Sequence, residues 1–191
     1  MPPTKLLRAY AVGALVAGVG LGVAGILVLL SPTLLAFVPL GVGLLGIVGG
    51  LVGVYAPQAD YHGGLGQVGF VLVLPGDLIY LVGTIVILAS NLLGGTGPLP
   101  TGFLVFIGTL LLAVGFVVLG AAILRVPVLA PWSGWILIMG GVLVILIFIV
   151  PALIALPVNT LGGSLILFGV AWLALSYALW PRGEATAAAG G

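Results

Sequence analysis

The 191-residue chain contains no cysteine, and this absence excludes several kinds of chemistry at once. Disulfides, thiolate metal sites, iron–sulfur clusters and cysteine nucleophiles all require a thiol. The chain also has a single histidine, His62, which is too few for a bis-histidine haem or for a metal site with the usual number of ligands. We interpret His62, which follows Asp60 by two positions, as a solvated loop residue, and the sequence predicts neither a metal ion nor a cofactor.

Charge is almost as scarce as cysteine. Only 4% of the residues are charged, four basic and three acidic, whereas soluble domains carry roughly 25%. A water-facing surface cannot be assembled from so few charges, so the solvent of most of this chain must be lipid. The net charge of +1 argues against nucleic acid as a partner and leaves the lipid bilayer as the predicted one.

Sequence signatures of catalysis are also missing. The chain has no Gly-x-Ser-x-Gly motif and no pair of aspartates within its apolar runs, so neither hydrolase nor protease machinery is visible. The stretch GVGLGVAG resembles a dinucleotide-binding loop only superficially, because it lies inside an apolar run with no preceding strand. The sequence therefore predicts a protein that is not an enzyme and has no catalytic residues.

Long apolar runs make up nearly the whole chain, which has 63% hydrophobic residues and a mean hydropathy of +1.51. A helix of about 20 apolar residues crosses a bilayer, and clusters of Pro, Gly and polar residues divide this chain into six such blocks. We predict an all-α, polytopic transmembrane helical bundle that forms a single domain over residues 1–181, followed by a short polar and Ala/Gly tail at 182–191. The predicted spans are residues 7–30, 34–55, 75–93, 102–124, 135–156 and 161–180, with residues 66–74 interfacial or re-entrant.

The basic residues predict an orientation. With six spans, Lys5, Arg8, Arg125 and Arg182 all fall on one side of the membrane. An excess of Lys and Arg marks the cytoplasmic side. We therefore expect a multi-pass protein of the cytoplasmic membrane with both termini inside the cell.

Glycine is the most informative residue that the chain has in abundance, with 33 copies, many of them four residues apart. Such spacing places small residues on one helix face and lets two backbones approach closely. We predict that the principal packing surfaces lie at Gly18, Gly22 and Gly25 in the first span and at Gly46, Gly50 and Gly53 in the second. These surfaces fit packing within one chain, and a face for another membrane subunit or a second copy is the alternative.

Asp77 is the one acidic residue inside the apolar body, and it follows a Pro-Gly pair. Residues 66–93 would form a helix of about 42 Å, too long for a hydrocarbon core of about 30 Å unless it tilts strongly. A helix that begins at Pro75 has the right length, and Asp77 would then lie in its first turn near the interface. We favour this interpretation of Asp77 as a helix start.

Two alternatives for Asp77 remain open. If the third span is long and kinked at Pro75, Asp77 lies deep in the membrane and forms a site for a proton or a small ion, with Tyr80 as its nearest polar neighbour. Asp77 would otherwise pair with a group on another subunit.

The six spans form a recurrent outline of three helical hairpins. The first runs from GLGVAGILVLLSP into GVGLLGIVGGLVGVY, and the third from GWILIMGGVLVILIFIVP into LGGSLILFGVAWLALSY. This outline resembles the HdeD-type small six-helix bacterial membrane proteins, which are linked to acid resistance. The middle hairpin departs from it through LPGDLIY and GGTGPLPTG, and no functional residue is carried across. The resemblance implies a small stress-related helical bundle.

Three function classes are considered from these observations, and the last of them, an enzyme that acts on lipids, has no residues in the sequence to support it. The first is a non-catalytic membrane component, either such a stress-related bundle or an accessory subunit of a larger membrane complex. The second is a transporter or channel for a proton or a small ion that uses Asp77. We favour the first because the chain lacks catalytic groups and is rich in small packing residues.

The topology is testable because the chain has no cysteine of its own. We expect Thr96→Cys and Asn159→Cys to react with an impermeant thiol reagent added outside the cell, and Ala187→Cys to react only after permeabilisation. Both outer positions lie in loops between an odd-numbered span and the next one, whereas residue 187 follows the sixth span. Reaction of the Ala187→Cys variant from outside would contradict the predicted orientation.

Overall fold

The computed structural model describes residues 4–30, 34–56, 63–93, 100–125, 131–146 and 159–188. Within these ranges the chain is helical and contains no β-strand, which confirms the predicted all-α class. A short 3-10 helix, Leu34–Ala36, precedes the second α-helix. The α-helices are α1 Thr4–Leu30, α2 Phe37–Tyr55, α3 Gly63–Leu92, α4 Pro100–Arg125, α5 Pro131–Val144 and α6 Asn159–Ala188.

Five of these helices, α1, α2, α3, α4 and α6, are long and apolar enough to cross a membrane. The helix α5 is apolar as well but is described over only 14 residues. The second half of the predicted fifth span, from residue 147 onwards, lies outside the described residues. By length and composition the protein is therefore a multi-pass helical membrane protein.

The third span differs from the favoured prediction. The helix does not begin at Pro75, because α3 runs without interruption from Gly63 to Leu92 and contains Pro75 in its interior. The prediction of a helix start at Pro75, with residues 66–74 outside the span, is therefore wrong. A proline in a helix removes one backbone hydrogen bond, but in lipid every other backbone group still needs an internal partner, which favours a continuous helix.

Two helices organise the packing of the bundle. The helix α1 packs extensively against both α2 and α6, and α4 packs against both α3 and α5. We call the first set (α6, α1 and α2) the α1 triplet and the second set (α3, α4 and α5) the α4 triplet. The contacts between the triplets, at α2–α3 and at α5–α6, are much less extensive.

This arrangement modifies the three-hairpin outline. The first two hairpins are present as packed antiparallel pairs, α1 with α2 and α3 with α4. The helices α5 and α6, in contrast, touch each other little and pack against α4 and α1.

Glycines at the α1–α6 crossing allow the two backbones to approach closely. A β-carbon added at Gly18 would lie 2.8 Å from the carbonyl oxygen of Gly169, and one at Gly25 would lie 2.5 Å from that of Gly162. A β-carbon at Gly22 would meet nothing within 4 Å, although one added at Gly169 would lie 2.8 Å from the Gly22 nitrogen. The three predicted positions in α1 therefore all lie along the contact with α6.

The predicted glycines of α2 face two neighbours. A β-carbon at Gly46 would lie 2.8 Å from the Cα atom of Ala17 in α1. One at Gly50 would lie 2.6 Å from the Trp172 ring in α6, and one at Gly53 would press on the side chain of Tyr10 in α1. These glycines therefore serve contacts inside the α1 triplet.

Aromatic side chains join the two triplets in the core. Phe116 of α4 makes edge contacts with Phe168 and Trp172 of α6, at ring-centroid distances of 5.6 Å and 6.0 Å. Phe116 and Trp172 are the largest fully buried side chains described. The triplets therefore meet through side chains, whereas helices within a triplet meet through their backbones.

Substitution of Gly46 tests the importance of this backbone contact. Gly46→Ala should destabilise the folded protein in detergent by about 1–3 kcal/mol, because the added methyl group meets backbone atoms of α1 that cannot rotate away. Gly41→Ala is the matched control on the same helix, because its methyl group would meet no atom within 4 Å. Thermal unfolding of both variants provides the measurement, and equal stability of the two would contradict the packing described here.

Candidate functional site

Asp77 occupies the middle of α3, which is the longest candidate membrane span among the described residues. Fourteen positions separate it from Gly63 and fifteen from Leu92, so at about 1.5 Å per residue it lies more than 20 Å from either end of α3. A helix that crosses a bilayer with this segment places Asp77 near the centre of the hydrocarbon core. The structure therefore has the long third span on which the proton or ion hypothesis depends.

The carboxyl group of Asp77 is fully buried inside the protein. None of the side chain is accessible, and neither carboxylate oxygen has a hydrogen-bond partner among the described residues. A buried polar group without a partner costs about 1–3 kcal/mol in proteins, and an ionised one costs more. Such a group is uncommon in a folded protein and calls for a functional explanation.

The position of Asp77 follows from the way α3 packs on α4. A row of small and apolar residues on α3 faces α4, and it includes Gly69, Val73, Gly76 and Gly83. A β-carbon at Gly76 would lie 2.6 Å from the backbone nitrogen of Leu112, so the two helices cross next to Asp77. Because this crossing fixes the backbone of α3 at Gly76, the side chain of Asp77 leaves the helix towards the interior of the bundle.

Asp77 lies beside this row, on the side of α3 that faces α2. Phe70 comes two helical turns before Asp77 and therefore lies in nearly the same direction around the helix. The Phe70 ring stacks on Tyr55, the last residue of α2, with a centroid distance of 4.3 Å. Asp77 therefore points into the bundle between α4 and α2, and not towards lipid.

Tyr80 follows Asp77 by about one turn and is also buried. It lies within electrostatic range of the Asp77 carboxyl group. The backbone of Tyr80 forms part of the α3–α4 crossing, because a β-carbon at Gly108 would lie 2.7 Å from its nitrogen. The two residues proposed from the sequence as an ion or proton site are thus brought together.

A small cavity of about 30 Å³ lies next to Tyr80 at the centre of the bundle. Side chains from each of the six described α-helices line it, so the two triplets meet around this cavity. The lining residues are Leu21, Leu40, Leu44, Tyr80, Thr109, Leu112, Val144, Leu165 and Phe168.

The two threonine hydroxyl groups in this region are already engaged. Thr84 donates its hydrogen to the carbonyl oxygen of Tyr80 at 2.9 Å, and Thr109 donates to that of Val105 at 2.7 Å. A hydroxyl has only one hydrogen to donate, so neither group can also donate to Asp77. Among the described residues, neither oxygen of the Asp77 carboxyl group thus has a hydrogen-bond partner.

The chemistry of such a carboxyl group is narrow. An unpaired carboxylate in an apolar interior requires a proton or a cation as its counterpart. Among the residues that the structure describes, no three metal-ligating side chains lie together, so a multidentate protein site for a divalent metal is not formed there. The arrangement suits a proton or a small monovalent cation.

The remaining sequence-predicted residues lie elsewhere. The six packing glycines belong to contacts of α1 and α2, and Asp60 and His62 lie outside the described residues. Sequence reasoning missed Thr109 and the central cavity. A signal for this location existed, because Gly76 and Gly108 each immediately precede a polar residue and together mark the α3–α4 crossing.

Comparisons with known proteins do not assign this chain to a family. No family model, no curated protein and no solved structure matches this chain significantly. The site therefore has to be interpreted from its own geometry.

The absence of a partner for Asp77 predicts the effect of removing its charge. Asp77→Asn keeps the shape of the side chain, and we expect the variant to be at least as stable as the native protein, with a gain on the order of 1 kcal/mol. Thermal unfolding in detergent measures this, with Asp60→Asn as the control for loss of a carboxylate in a predicted loop. A large loss of stability in Asp77→Asn alone would show that Asp77 holds the fold together through a partner.

Proposed function

We propose that this multi-pass membrane protein binds a proton or a small monovalent cation at Asp77 and moves it across the bilayer. The observation that supports the proposal is the fully buried, unpartnered carboxyl group in the middle of α3. This was the second of the three function classes considered from the sequence. It gains support because the helix start that would have given Asp77 a structural duty is not present.

The position of Asp77 argues against a purely structural role. At a helix start, a carboxylate accepts hydrogen bonds from free N–H groups and meets the positive end of the helix dipole. In the interior of α3 the backbone N–H groups are used by the helix itself, so neither form of stabilisation is available there. Ionisable residues inside membrane spans are costly and typically mark pathways for ions or protons.

Pairing of Asp77 with another subunit receives less support from the structure. A salt bridge between chains requires the carboxyl group to reach the protein surface, whereas Asp77 is enclosed by helices of its own chain. The wider prediction of an accessory or stress-related component, including the resemblance to HdeD-type proteins, stays a prediction. The proposal also includes that the protein lies in the cytoplasmic membrane, that both termini face the cytoplasm and that it has no catalytic activity.

The proposal is tested by ion flux into liposomes that contain the purified full-length chain. We expect the native protein to dissipate an imposed proton gradient or a gradient of Na⁺ or K⁺, each measured separately. Asp77→Asn should reduce this flux to the level of protein-free liposomes, because the amide neither exchanges a proton nor balances a cation. Asp60→Asn should retain the native flux.

Two results would overturn the proposal. One is a native protein that moves none of these ions in sealed liposomes, and the other is an Asp77→Asn variant with undiminished flux. In the first case, stable co-purification of other polypeptides in mild detergent would favour the accessory-subunit prediction.

A further inference from the structure

Helices within a triplet are joined more tightly than helices of different triplets, and this difference bears on how Asp77 is reached. Within a triplet, glycines bring backbones into direct contact. A β-carbon at Gly20 would lie 2.7 Å from the Cα atom of Gly43, and one at Gly120 would lie 2.6 Å from the carbonyl oxygen of Gly134. Where even an added β-carbon would overlap the neighbouring helix, the gap between the two backbones is too narrow for an ion or a water molecule to pass.

The contact between α2 and α3 has a different character. The glycines at 43, 46 and 49 of α2 face α1, and those at 69, 76 and 83 of α3 face α4. The two helices are therefore held together across this seam by longer side chains, and they touch much less than the helices of a triplet do. Side chains can rotate on a nanosecond scale, whereas packed backbones cannot separate without moving a whole helix.

The ring pair Tyr55–Phe70 closes this seam at one end. The rings stack at 4.3 Å with an interplanar angle of 18°. Tyr55 ends α2 and Phe70 lies early in α3, so the pair is near the end of the bundle at which α2 is connected to α3. Both residues are partly exposed, as expected for a contact at the boundary between the core and its surroundings.

Phe70 and Asp77 share one side of α3. The seven residues between them correspond to about 10 Å along the helix and almost two full turns. The stacked rings therefore lie between the end of the bundle and the carboxyl group, on a side of Asp77 that the backbone contacts with α4 do not seal.

We propose that the stacked pair of Tyr55 and Phe70 is a gate on the route by which a proton or a small cation reaches Asp77 between α2 and α3. This proposal rests on the proposed function of Asp77, and it adds the direction from which an ion reaches the Asp77 carboxyl group. Opening requires only that the rings unstack, because the glycine contacts given for the described residues of α2 and α3 join these helices to α1, α4 and α6 and not to each other. The α3–α4 crossing stays closed and keeps Asp77 in place while the gate moves.

Accessibility of position 77 tests the gate without any measurement of transport. Asp77→Cys introduces the sole thiol of the chain, and its reaction with a small cationic methanethiosulfonate reagent is followed in liposomes by mass spectrometry. We expect the reaction to be several-fold faster when Phe70→Ala or Tyr55→Ala is added. Phe106→Ala is the matched control, because Phe106 is an exposed phenylalanine on α4 and should leave the rate unchanged.

Flux is then measured separately in variants that retain Asp77. If the gate and the proposed function are both correct, Phe70→Ala increases flux several-fold and Asp77→Asn abolishes it in either background. Flux in the native protein with unchanged thiol reactivity in both ring variants would overturn the gate and leave the role of Asp77 standing. Faster thiol reaction without any flux would support the access route and remove the transport function.

The ring variants also need a check on folding. Tyr55→Leu and Phe70→Leu preserve apolar bulk while removing the stack, so they should fold like the native protein and show an intermediate rate of thiol reaction. A rate equal to the native one in these variants, together with a fast rate in the alanine variants, would indicate local unfolding and would overturn the gate.

Discussion

Close contact between helix backbones is the constraint on which the rest of this structure depends. Lipid tails are as apolar as leucine, so burial of leucine side chains against one another gives little net attraction in a membrane. What remains is van der Waals packing, which falls off steeply with distance and is therefore strongest where glycine lets backbones touch. The crossings at Gly20–Gly43, Gly18–Gly169 and Gly76–Leu112 are contacts of this kind.

The burial of Asp77 is a consequence of one such contact. Because Gly76 lies against the backbone of α4, the residue that follows it is turned inwards between α4 and α2. An inward aspartate without a partner is unfavourable by itself, and the packing of the surrounding helices offsets this cost. The protein thus keeps a costly group beside a tight helix crossing, and such groups persist only where the surrounding structure holds them in place.

The uneven distribution of glycine contacts divides the bundle into a rigid and a yielding part. Each triplet is joined at several glycine crossings that leave no room for an added β-carbon, whereas the triplets meet through Phe116, Phe168 and Trp172 and through the Tyr55–Phe70 stack. Aromatic rings fill space well but can rotate or slide with little change in backbone position. A bundle built in this way is compatible with the proposed access of an ion to a carboxyl group that is held in a fixed place.

The sequence by itself determined that this chain is a helical membrane protein, because hydropathy and the length of apolar runs are local properties that the bilayer alone selects. It also indicated that glycines would form the packing surfaces and that Asp77 was the residue to explain. Sequence reasoning failed at Pro75, where a rule for helix starts outweighed the requirement that backbone groups in lipid be paired within a continuous helix. It also could not show that α5 packs on α4 and α6 on α1.

Only the tertiary structure decided which face of each helix is inside. Helices that are apolar all round carry no stripe that distinguishes a protein-facing side from a lipid-facing one, so periodicity could not orient α3. The direction of Asp77 depends on where α3 crosses α4, and that crossing joins residues such as Gly76 and Leu112 that are far apart in the chain. The sequence supplied the carboxyl group, and the helix crossing buried it where none of the described residues forms a hydrogen bond with it.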